Sequence, residues 1–304
     1  AATYRVRYTR RRQYRRRLLR RTGQRLTTPR ISAESHKMPR RSADINVMVR
    51  AAERAGRALI RDFGEVDNLQ VSKKGPGDFV STADLKAEET VKYELEKARP
   101  TFGFLMEESG TTSGCDNSHV WIVDPLDGTT NFLHGLPHFC VSIGLARDNE
   151  VIAGVIFDPI KDEVFWAERG IGAFVNSRRL RVSGRNRIDE AILAIGVPFK
   201  LHDDETVDLF IEQLRPIMKQ TAGVRRYGAA ALDLAYVAAG RYDGYWENGL
   251  NPWDVAAGIL IVREAGGFVT DLTGQRYKLG AKNILATNDG LHHKLSELLV
   301  RKPG

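Results

Sequence analysis

Apolar residues recur at helical spacing in the segment that follows Ser42. Between Ala43 and Phe63 they fall at intervals of three and four residues, which is typical of an amphipathic helix with one buried face. Ser42 or Asp44 supplies its N-cap, because a short side chain with an oxygen can accept the N–H groups of the first turn. The pattern therefore predicts a first helix over residues 43–63.

Between residues 73 and 168 the pattern changes to short runs and alternation. A loop is predicted over Lys73–Asp78 and a second helix over Asp84–Lys97. Short buried strands are predicted at Phe102–Met106 and His119–Val123. Three further apolar segments are separated by turn signals and predict an antiparallel meander, at residues 139–146, 151–157 and 163–168.

Beyond about Arg185 the sequence alternates between strand and helix patterns. In order, it predicts a strand, two helices, a strand, a helix and a strand, at Ala191–Ile195, Glu205–Lys219, Ala229–Ala239, Tyr242–Trp246, Pro252–Ala265 and Phe268–Asp271. An α/β half thus follows an α+β half. With no internal repeat and no Pro- or Ser-rich linker, we expect two subdomains, 38–185 and 186–304, that share one interface.

The positive charge of the chain is concentrated at its N-terminus. The sequence has 46 Lys and Arg against 38 Asp and Glu, a net charge of +8. Residues 1–41 contain 14 Arg, one Lys and one acid, Glu34, so the other 263 residues carry a net charge of −6. The basic balance of the whole chain therefore does not describe the part that folds.

Residues 1–37 contain few aliphatic side chains and keep no helical or strand period, so we predict that they are disordered. Three interpretations of this Arg-rich segment stay open. It is an arm that binds nucleic acid or another anionic surface, an organellar presequence, or sequence that is not native to the protein. The third is favoured, with Met38 as the true start, because the first helical pattern begins directly after Met38.

Composition and cysteine content exclude several classes of protein. A chain of 304 residues with 42% hydrophobic residues can bury a large core. The longest apolar run, Val255–Val262, is far shorter than the roughly 20 residues that a membrane-spanning helix needs. The two cysteines provide neither a disulfide framework nor a Cys-based zinc site. We therefore expect a soluble, cytoplasmic protein without a membrane partner.

The strongest chemical signal lies in residues 121–132, where an apolar strand runs into two acids, Asp124 and Asp127. Pro125 lies between them and presets the φ of a turn. Such a turn places both carboxylates on one side and can leave the Leu126 carbonyl unpaired. Carboxylate and carbonyl oxygens are preferred ligands of hard cations. An ordinary turn with capping aspartates fits the same residues, so this segment alone leaves both interpretations open.

The neighbouring residues shift the balance towards a cation and phosphate site. Gly128 and Thr129 begin a predicted helix, whose free N–H groups suit a phosphate oxygen. Further acids follow predicted strands or begin predicted helices, namely Asp84, Glu107, Glu108 and Asp254. Adjacent glutamates point to opposite sides, so only one of the pair is expected to face the site. Converging carboxylates repel one another unless cations compensate, and Mg²⁺ suits such a site.

The chain from Met38 to about Leu299 resembles the inositol monophosphatase family. This family belongs to the lithium-sensitive, magnesium-dependent phosphatases, with the fructose-1,6-bisphosphatases and bisphosphate nucleotidases. Three motifs carry the resemblance in the family's order, namely Glu107-Glu108, Asp124-Pro125-Leu126-Asp127-Gly128-Thr129, and Trp253-Asp254 followed by Ala256-Ala257-Gly258. The resemblance implies a layered αβαβα sandwich of the inositol monophosphatase and fructose-1,6-bisphosphatase type, with α+β and α/β parts, and a homodimer.

The resemblance also implies a metal-binding role for each matching residue. Glu107, Asp124 and the Leu126 carbonyl hold one Mg²⁺, and Asp124, Asp127 and Asp254 hold a second. Glu107 helps to hold a third, so each active site takes two to three Mg²⁺.

Catalytic roles are implied by the same resemblance. Asp84 and Thr129 position the attacking water and, with Glu107, form the catalytic set. Glu108 shapes the shell around the metals, and Lys73 lies near them.

Substrate recognition is less well defined. The resemblance places the start of the helix at Gly228–Leu234 beside a substrate ring, although close helix packing explains the same small residues. A polyol needs acceptors, which Asp127, Glu247 and the Ala230 backbone would provide, while Gly128 and Thr129 would meet the phosphate. Arg225 or Arg226 lines the rim of the site or is simple surface charge.

We therefore expect Mg²⁺-dependent hydrolysis of a phosphorylated polyol, myo-inositol 1-phosphate, to myo-inositol and phosphate. Fructose-1,6-bisphosphatase, bisphosphate nucleotidase and histidinol-phosphate phosphatase activities stay open, because the resemblance gives them the same metal motifs. An additional regulatory role also stays open, in which the Arg-rich arm binds RNA or the protein associates with the transcription machinery. No covalent nucleophile, Gly-x-Ser-x-Gly turn or Walker loop stands out in the sequence.

Overall fold

The first helix, α1, spans Ala43–Phe63, as the periodicity predicts, and Ser42 caps it by accepting the Ile45 N–H at 3.2 Å. The computed structural model describes residues 40–65, 71–75, 78–197 and 204–300, without the side chains of 71–80 and 117. Residues 1–37 lie outside this range, so their disorder stays a prediction.

A hairpin and a second helix follow α1. Strands β1 (Val71–Gly75) and β2 (Asp78–Ser81) pair antiparallel. The predicted loop over 73–78 is therefore wrong at both ends, because its backbone groups form ladder hydrogen bonds across the hairpin. Helix α2 (Thr82–Ala98) begins directly after β2 and is capped by Ser81 and Asp84.

The first sheet contains eight strands in the described residues and forms most of the N-terminal half. In chain order they are β3 (Phe102–Met106), β4 (Gly110–Thr112), β5 (Asp116–Asp127), β6 (Cys140–Arg147), β7 (Glu150–Asp158), β8 (Glu163–Glu168), β9 (Gly172–Val175) and β10 (Arg178–Arg179). The spatial order is β10-β9-β8-β7-β6-β5-β3-β4. The predicted antiparallel meander corresponds to β6, β7 and β8, and β5, β9 and β10 extend it at its two ends. Strand β3 lies parallel to β5. A short helix, α3 (Thr129–Leu133), connects β5 to β6.

The second sheet has five strands in the described residues, in the order β12-β11-β13-β15-β14. Its elements are β11 (Ile192–Ile195), α4 (Asp204–Gln220), β12 (Gly223–Arg225), α5 (Ala230–Ala238), β13 (Gly244–Asn248), α6 (Pro252–Glu264), β14 (Phe268–Thr270), β15 (Asn283–Thr287) and α7 (Asp289–Leu299). Strand β11 lies parallel to β12 and β13, and β15 pairs antiparallel with β13 and β14.

Helices cover both faces of each sheet, which gives five layers. Helices α1 and α2 pack on one face of the first sheet, and α5 and α6 lie between the two sheets. Helices α4 and α7 cover the outer face of the second sheet. Adjacent strand residues divide between layers, so Trp166 joins the α1 side of the core and Phe165 the α5–α6 side. The layered αβαβα sandwich is confirmed.

Two strand glycines let α6 approach the first sheet closely. A Cβ on Gly144 would lie 3.0 Å from the Cβ of Ala256, and a Cβ on Gly154 would lie 2.9 Å from the Cα of Ala257. Larger side chains would therefore push the helix away from β6 and β7. The close approach brings the first turn of α6, which carries Asp254, to the end of β5.

The described residues all belong to one compact unit, Pro39–Gly304. The predicted boundary at 185/186 falls between the two sheets, and the division into subdomains stays a prediction. Among the helices in the described ranges, none combines the length and apolar character that crossing a bilayer requires.

Candidate active site

A bulge at the end of β5 brings two acids to one face of the sheet. The strand continues through Asp127, so the prediction that it ends before Asp124 is wrong. Asp124 pairs with Ser142 and Asp127 pairs with Cys140, so a step of three residues on β5 matches a step of two on β6. In a regular strand, residues three apart point to opposite faces. The bulge adds one residue to β5 between Asp124 and Asp127, so both carboxylates lie on the same side of the sheet.

Backbone N–H groups hold one oxygen of each aspartate at this site. Asp124 Oδ1 accepts the Leu126 N–H at 3.0 Å, and Asp127 Oδ2 accepts the Ala231 N–H at 2.8 Å. In the first turn of α6, Asp254 Oδ2 accepts the Asn251 N–H at 2.6 Å. A carboxylate that is held through one oxygen can present the other to a ligand in a fixed direction.

Four carboxylates from three parts of the fold share this site. The Glu107 N–H donates to the Val123 carbonyl at 3.1 Å, which places Glu107 beside Asp124 as β3 ends. Burial raises the pKa of Asp124 well above its usual value, and the charges of Glu107, Asp127 and Asp254 raise it further. Burial likewise raises the pKa of Asp127 to about 7 and that of Asp254 to about 8.

This donor set fits a hard divalent cation. Buried carboxylates that raise one another's pKa lack positive compensation, which Mg²⁺ would supply through oxygen ligands. Within the described ranges, no three His, Cys, Asp or Glu side chains already surround one point as a metal cage. The Asp124 and Glu107 carboxyl groups are hydrogen-bonded to each other, a contact that requires a proton on one of them.

Asp84 and Thr129 meet beside this cluster, as predicted. Asp84 is fully buried, and its Oδ2 accepts the Ser81 N–H at 2.9 Å and the Ser81 hydroxyl at 2.6 Å. Thr129 Oγ1 lies 3.1 Å from Asp84 Oδ1 and 3.0 Å from the Leu126 carbonyl, so its one proton serves either acceptor. The Leu126 carbonyl, which the turn was expected to leave unpaired, therefore shares the Thr129 hydroxyl group with Asp84. Burial raises the pKa of Asp84 despite these donors.

Glu108 and Lys73 were predicted to support the site, and the structure describes a contact for Glu108 alone. Glu108 donates its backbone N–H to Glu88 Oε2 at 2.9 Å, and Glu88 lies one turn after Asp84 on α2. Glu88 was not predicted as part of the site, although its four-residue spacing from Asp84 places both acids on one face of α2. Lys73 lies on β1, and its side chain is outside the described residues. The roles of Glu108 and Lys73 stay predictions.

Glu247 lies in the second sheet, on β13, and is almost fully buried. Its Oε2 accepts the Tyr245 hydroxyl at 2.5 Å, and burial raises its pKa to about 7. A Cβ on Gly196 would lie 1.7 Å from Glu247 Cδ, so the glycine leaves the space that the carboxyl group fills. The charge of Asp254 raises the pKa of Glu247 further.

The start of α5 also contributes to the site. Ala230 is its first residue, Gly128 is the left-handed N-cap of α3, and the Ala231 N–H holds Asp127.

Of the two candidate arginines, Arg225 is exposed and donates to the Val224 carbonyl at 2.9 Å. Arg226 is also exposed, and its charge lowers the pKa of Glu247. A place for either arginine at the rim of the site stays a prediction.

Fold and site together define a layered α/β protein with a buried carboxylate centre beside a Thr–Asp pair. The chain belongs to the inositol monophosphatase family, whose model matches residues 41–302.

Individual relatives agree with this family assignment. An inositol-1-monophosphatase from Mesorhizobium japonicum is 56% identical over 265 residues, which cover 86% of this chain and 98% of that protein. A protein named Nus factor SuhB from Pseudomonas aeruginosa is 46% identical over 246 residues, covering 80% and 91% respectively. The crystal structure of extragenic suppressor protein suhB from Bartonella henselae matches with a TM-score of 0.83 and 56% identity, covering 86% of this chain and 100% of that one.

Proposed function

We propose that the protein is an inositol-1-monophosphatase, a phosphoric monoester hydrolase that converts myo-inositol 1-phosphate to myo-inositol and phosphate. Family membership and the relatives named inositol-1-monophosphatase support this proposal. The observation that carries it is the convergence of the acid cluster with a Thr–Asp pair, formed by Glu107, Asp124, Asp127 and Asp254 beside Asp84 and Thr129.

Magnesium is the proposed cofactor, with two to three ions per site. Glu107, Asp124 and the Leu126 carbonyl would hold one ion, Asp124, Asp127 and Asp254 a second, and Glu107 part of a third. When bound, Mg²⁺ would neutralise phosphate charge and lower the pKa of a water molecule. The role of the protein is to keep these oxygens in place, which the bulge in β5 and the backbone N–H donors do.

The Thr129–Asp84 pair is the proposed means of orienting the attacking water. Thr129 Oγ1 would accept a proton from the water while its own proton passes to Asp84 Oδ1, 3.1 Å away. A raised pKa makes Asp84 a better proton acceptor. Phosphoryl transfer needs mainly positioning and charge neutralisation, so no covalent nucleophile is required.

Recognition of the polyol is proposed to involve both sheets. Glu247 and Asp127 would accept hydroxyl groups, with the backbone of Ala230 beside them. The backbone N–H groups of Gly128 and Thr129 would meet the phosphate. Because Glu247 lies on β13 and Asp127 on β5, the two halves of the fold would both contact the substrate.

A substrate panel tests the proposed activity. Protein that starts at Met38 should hydrolyse myo-inositol 1-phosphate with a higher kcat/KM than fructose 1,6-bisphosphate, adenosine 3′,5′-bisphosphate or histidinol phosphate. Phosphate release in Mg²⁺ buffer is the measurement, and Asp124→Asn is the blank for contaminating phosphatases. A preference of about 10-fold or more for another substrate would replace inositol phosphate while keeping the phosphatase class.

Metal substitution tests the proposed cofactor. Chelator-treated protein should be inactive, regain turnover with Mg²⁺ and fail to do so with Ca²⁺, because calcium's larger and looser ligand shell spoils in-line geometry. Millimolar-scale Li⁺ should inhibit, as the resemblance to lithium-sensitive phosphatases implies. Turnover in excess chelator would contradict the magnesium site, whereas lithium insensitivity would only place the protein in a less typical branch.

A regulatory role is a second candidate function. Its support is the similarity to proteins named Nus factor SuhB. We propose that association with RNA or the transcription machinery, through the Arg-rich arm, would be separate from catalysis. Salt-dependent RNA binding that is lost on deleting residues 1–37 would support this role, and equal binding without them would contradict it.

Two further proposals rest on family resemblance alone. They are a homodimer, which light scattering would measure, and a cytoplasmic location.

A further inference from the structure

One buried hydroxyl group beside the acid cluster has no hydrogen-bond partner. Ser142 lies on β6 with only 1% of its surface exposed, and its Oγ neither donates nor accepts a hydrogen bond within the described structure. Buried hydroxyl groups are normally satisfied, because an unpaired one loses its bonds to water without replacement. The exception at this position therefore requires an explanation.

The strand register directs Ser142 towards the acid cluster. Ser142 is the ladder partner of Asp124, so the two side chains share one face of the sheet. One step along the same face, Gly144 lies against Ala256 of α6. The hydroxyl group thus lies on the α6 face, beside Asp124 and on the side from which the first turn of α6 brings Asp254.

The next residue on this face of β6 already supports the neighbouring acid. Cys140 is fully buried, pairs with Asp127, and donates its thiol to Asp127 Oδ2 at 3.6 Å. Strand β6 therefore places a donor side chain opposite each of the two site acids of β5, Asp124 and Asp127. Only the donor opposite Asp127 makes its hydrogen bond in the described structure.

We propose that Ser142 is a positioning residue whose hydroxyl group donates to the Asp124 carboxylate once the site holds Mg²⁺. Without a cation, Asp124 shares a hydrogen bond with Glu107 and accepts the Leu126 N–H. Asp124 would help to hold the cation, and its two carboxylate oxygens have enough lone pairs to accept a further donor as well. Partners that orient a metal ligand raise metal affinity, although they do not touch the metal. This inference rests on the proposed magnesium site.

The test is Mg²⁺ binding by isothermal titration calorimetry with the full chain, without substrate. Ser142→Ala should bind Mg²⁺ about 10- to 100-fold more weakly than wild type, the usual scale for such partners. Its melting temperature in chelator should equal or exceed that of wild type, because no hydrogen bond is lost. Ser142→Cys keeps a weak donor of similar size, so its Mg²⁺ affinity should fall between those of wild type and Ser142→Ala.

A matched control separates positioning from ordinary structural loss. Thr287 is also a fully buried hydroxyl residue, but its Oγ1 donates to the Asn288 carbonyl at 3.0 Å or pairs with His292 Nδ1 at 2.7 Å. Thr287→Val should therefore lower the melting temperature in chelator and leave Mg²⁺ affinity unchanged. Ser142→Ala should thus lose Mg²⁺ affinity but not stability, and Thr287→Val should lose stability but not Mg²⁺ affinity. This opposite pattern identifies the positioning role.

Three results would overturn the inference. Equal Mg²⁺ affinity for wild type and Ser142→Ala would show that the hydroxyl group does not support Asp124. A lower melting temperature of Ser142→Ala in chelator would show that the hydroxyl group has a structural partner without metal. If wild type itself binds no Mg²⁺, the proposed magnesium site fails, and this inference fails with it.

Discussion

Replacing Asp124 by Asn is expected to reduce kcat by roughly 10³-fold or more while the protein stays folded. Asp124 is the proposed ligand of two cations, so the loss of its charge disturbs both and removes several kcal/mol of charge stabilisation. The metal-free protein should gain stability, because the Asp124 carboxylate is buried against those of Glu107, Asp127 and Asp254. Phosphate release and the melting temperature in chelator are the two measurements.

Asp148→Asn is the matched control for this variant. Asp148 is an exposed turn residue with a φ of 52°, a left-handed conformation that Asn adopts readily. This control also removes one carboxylate charge, but at a position far from the site, so the variant should keep full turnover. Wild-type turnover in Asp124→Asn would show that the cluster is not the active site.

Thr129→Val is expected to lower kcat by roughly 10²- to 10⁴-fold with little change in KM. The substitution keeps the shape and the backbone N–H but removes the hydroxyl group that links the water to Asp84, a contact of the general-base type. The effect belongs to the transition state, so substrate affinity should be retained. The measurement combines kcat, KM and melting temperature.

The alternative role for Thr129 is that of a helix cap, whose loss would cost about 1 kcal/mol of stability with kcat nearly intact. The structure already opposes this role, because Gly128 is the N-cap of α3. Thr130→Val makes the same change one residue further along α3 and should retain kcat. Normal kcat with a lowered melting temperature in Thr129→Val would refute its catalytic role.

Much of the fold was predictable because its signals are local. The period of α1 gave both of its ends, and the turn residues between β6, β7 and β8 gave the meander. The hairpin of β1 and β2 and the extension of β5 were not predicted. Strands β1 and β2 pair with each other, although the composition of Lys73–Asp78 carries only turn signals. The end of β5 pairs with β6, which follows only after α3.

The site, like the fold, has a part that was predictable from the sequence and a part that was not. The acids are visible because they follow strands or begin helices in short motifs. Their neighbours were not predictable, because strand register places Ser142 opposite Asp124 and the packing of α5 brings the Ala231 N–H to Asp127. The position of Thr129 beside the Leu126 carbonyl also depends on the bulge, which the sequence does not show.

Carboxylates from β5, from the first turn of α6 and from the residue after β3 are proposed to form one cation site. Anomalous diffraction from crystals grown with Mn²⁺ in place of Mg²⁺ tests it most directly, because Mn²⁺ takes similar oxygen ligands and scatters anomalously. We expect at least two anomalous peaks enclosed by the side-chain oxygens of Glu107, Asp124, Asp127 and Asp254. Bound Mn²⁺ located only elsewhere, in protein that hydrolyses inositol 1-phosphate with Mn²⁺, would contradict the account.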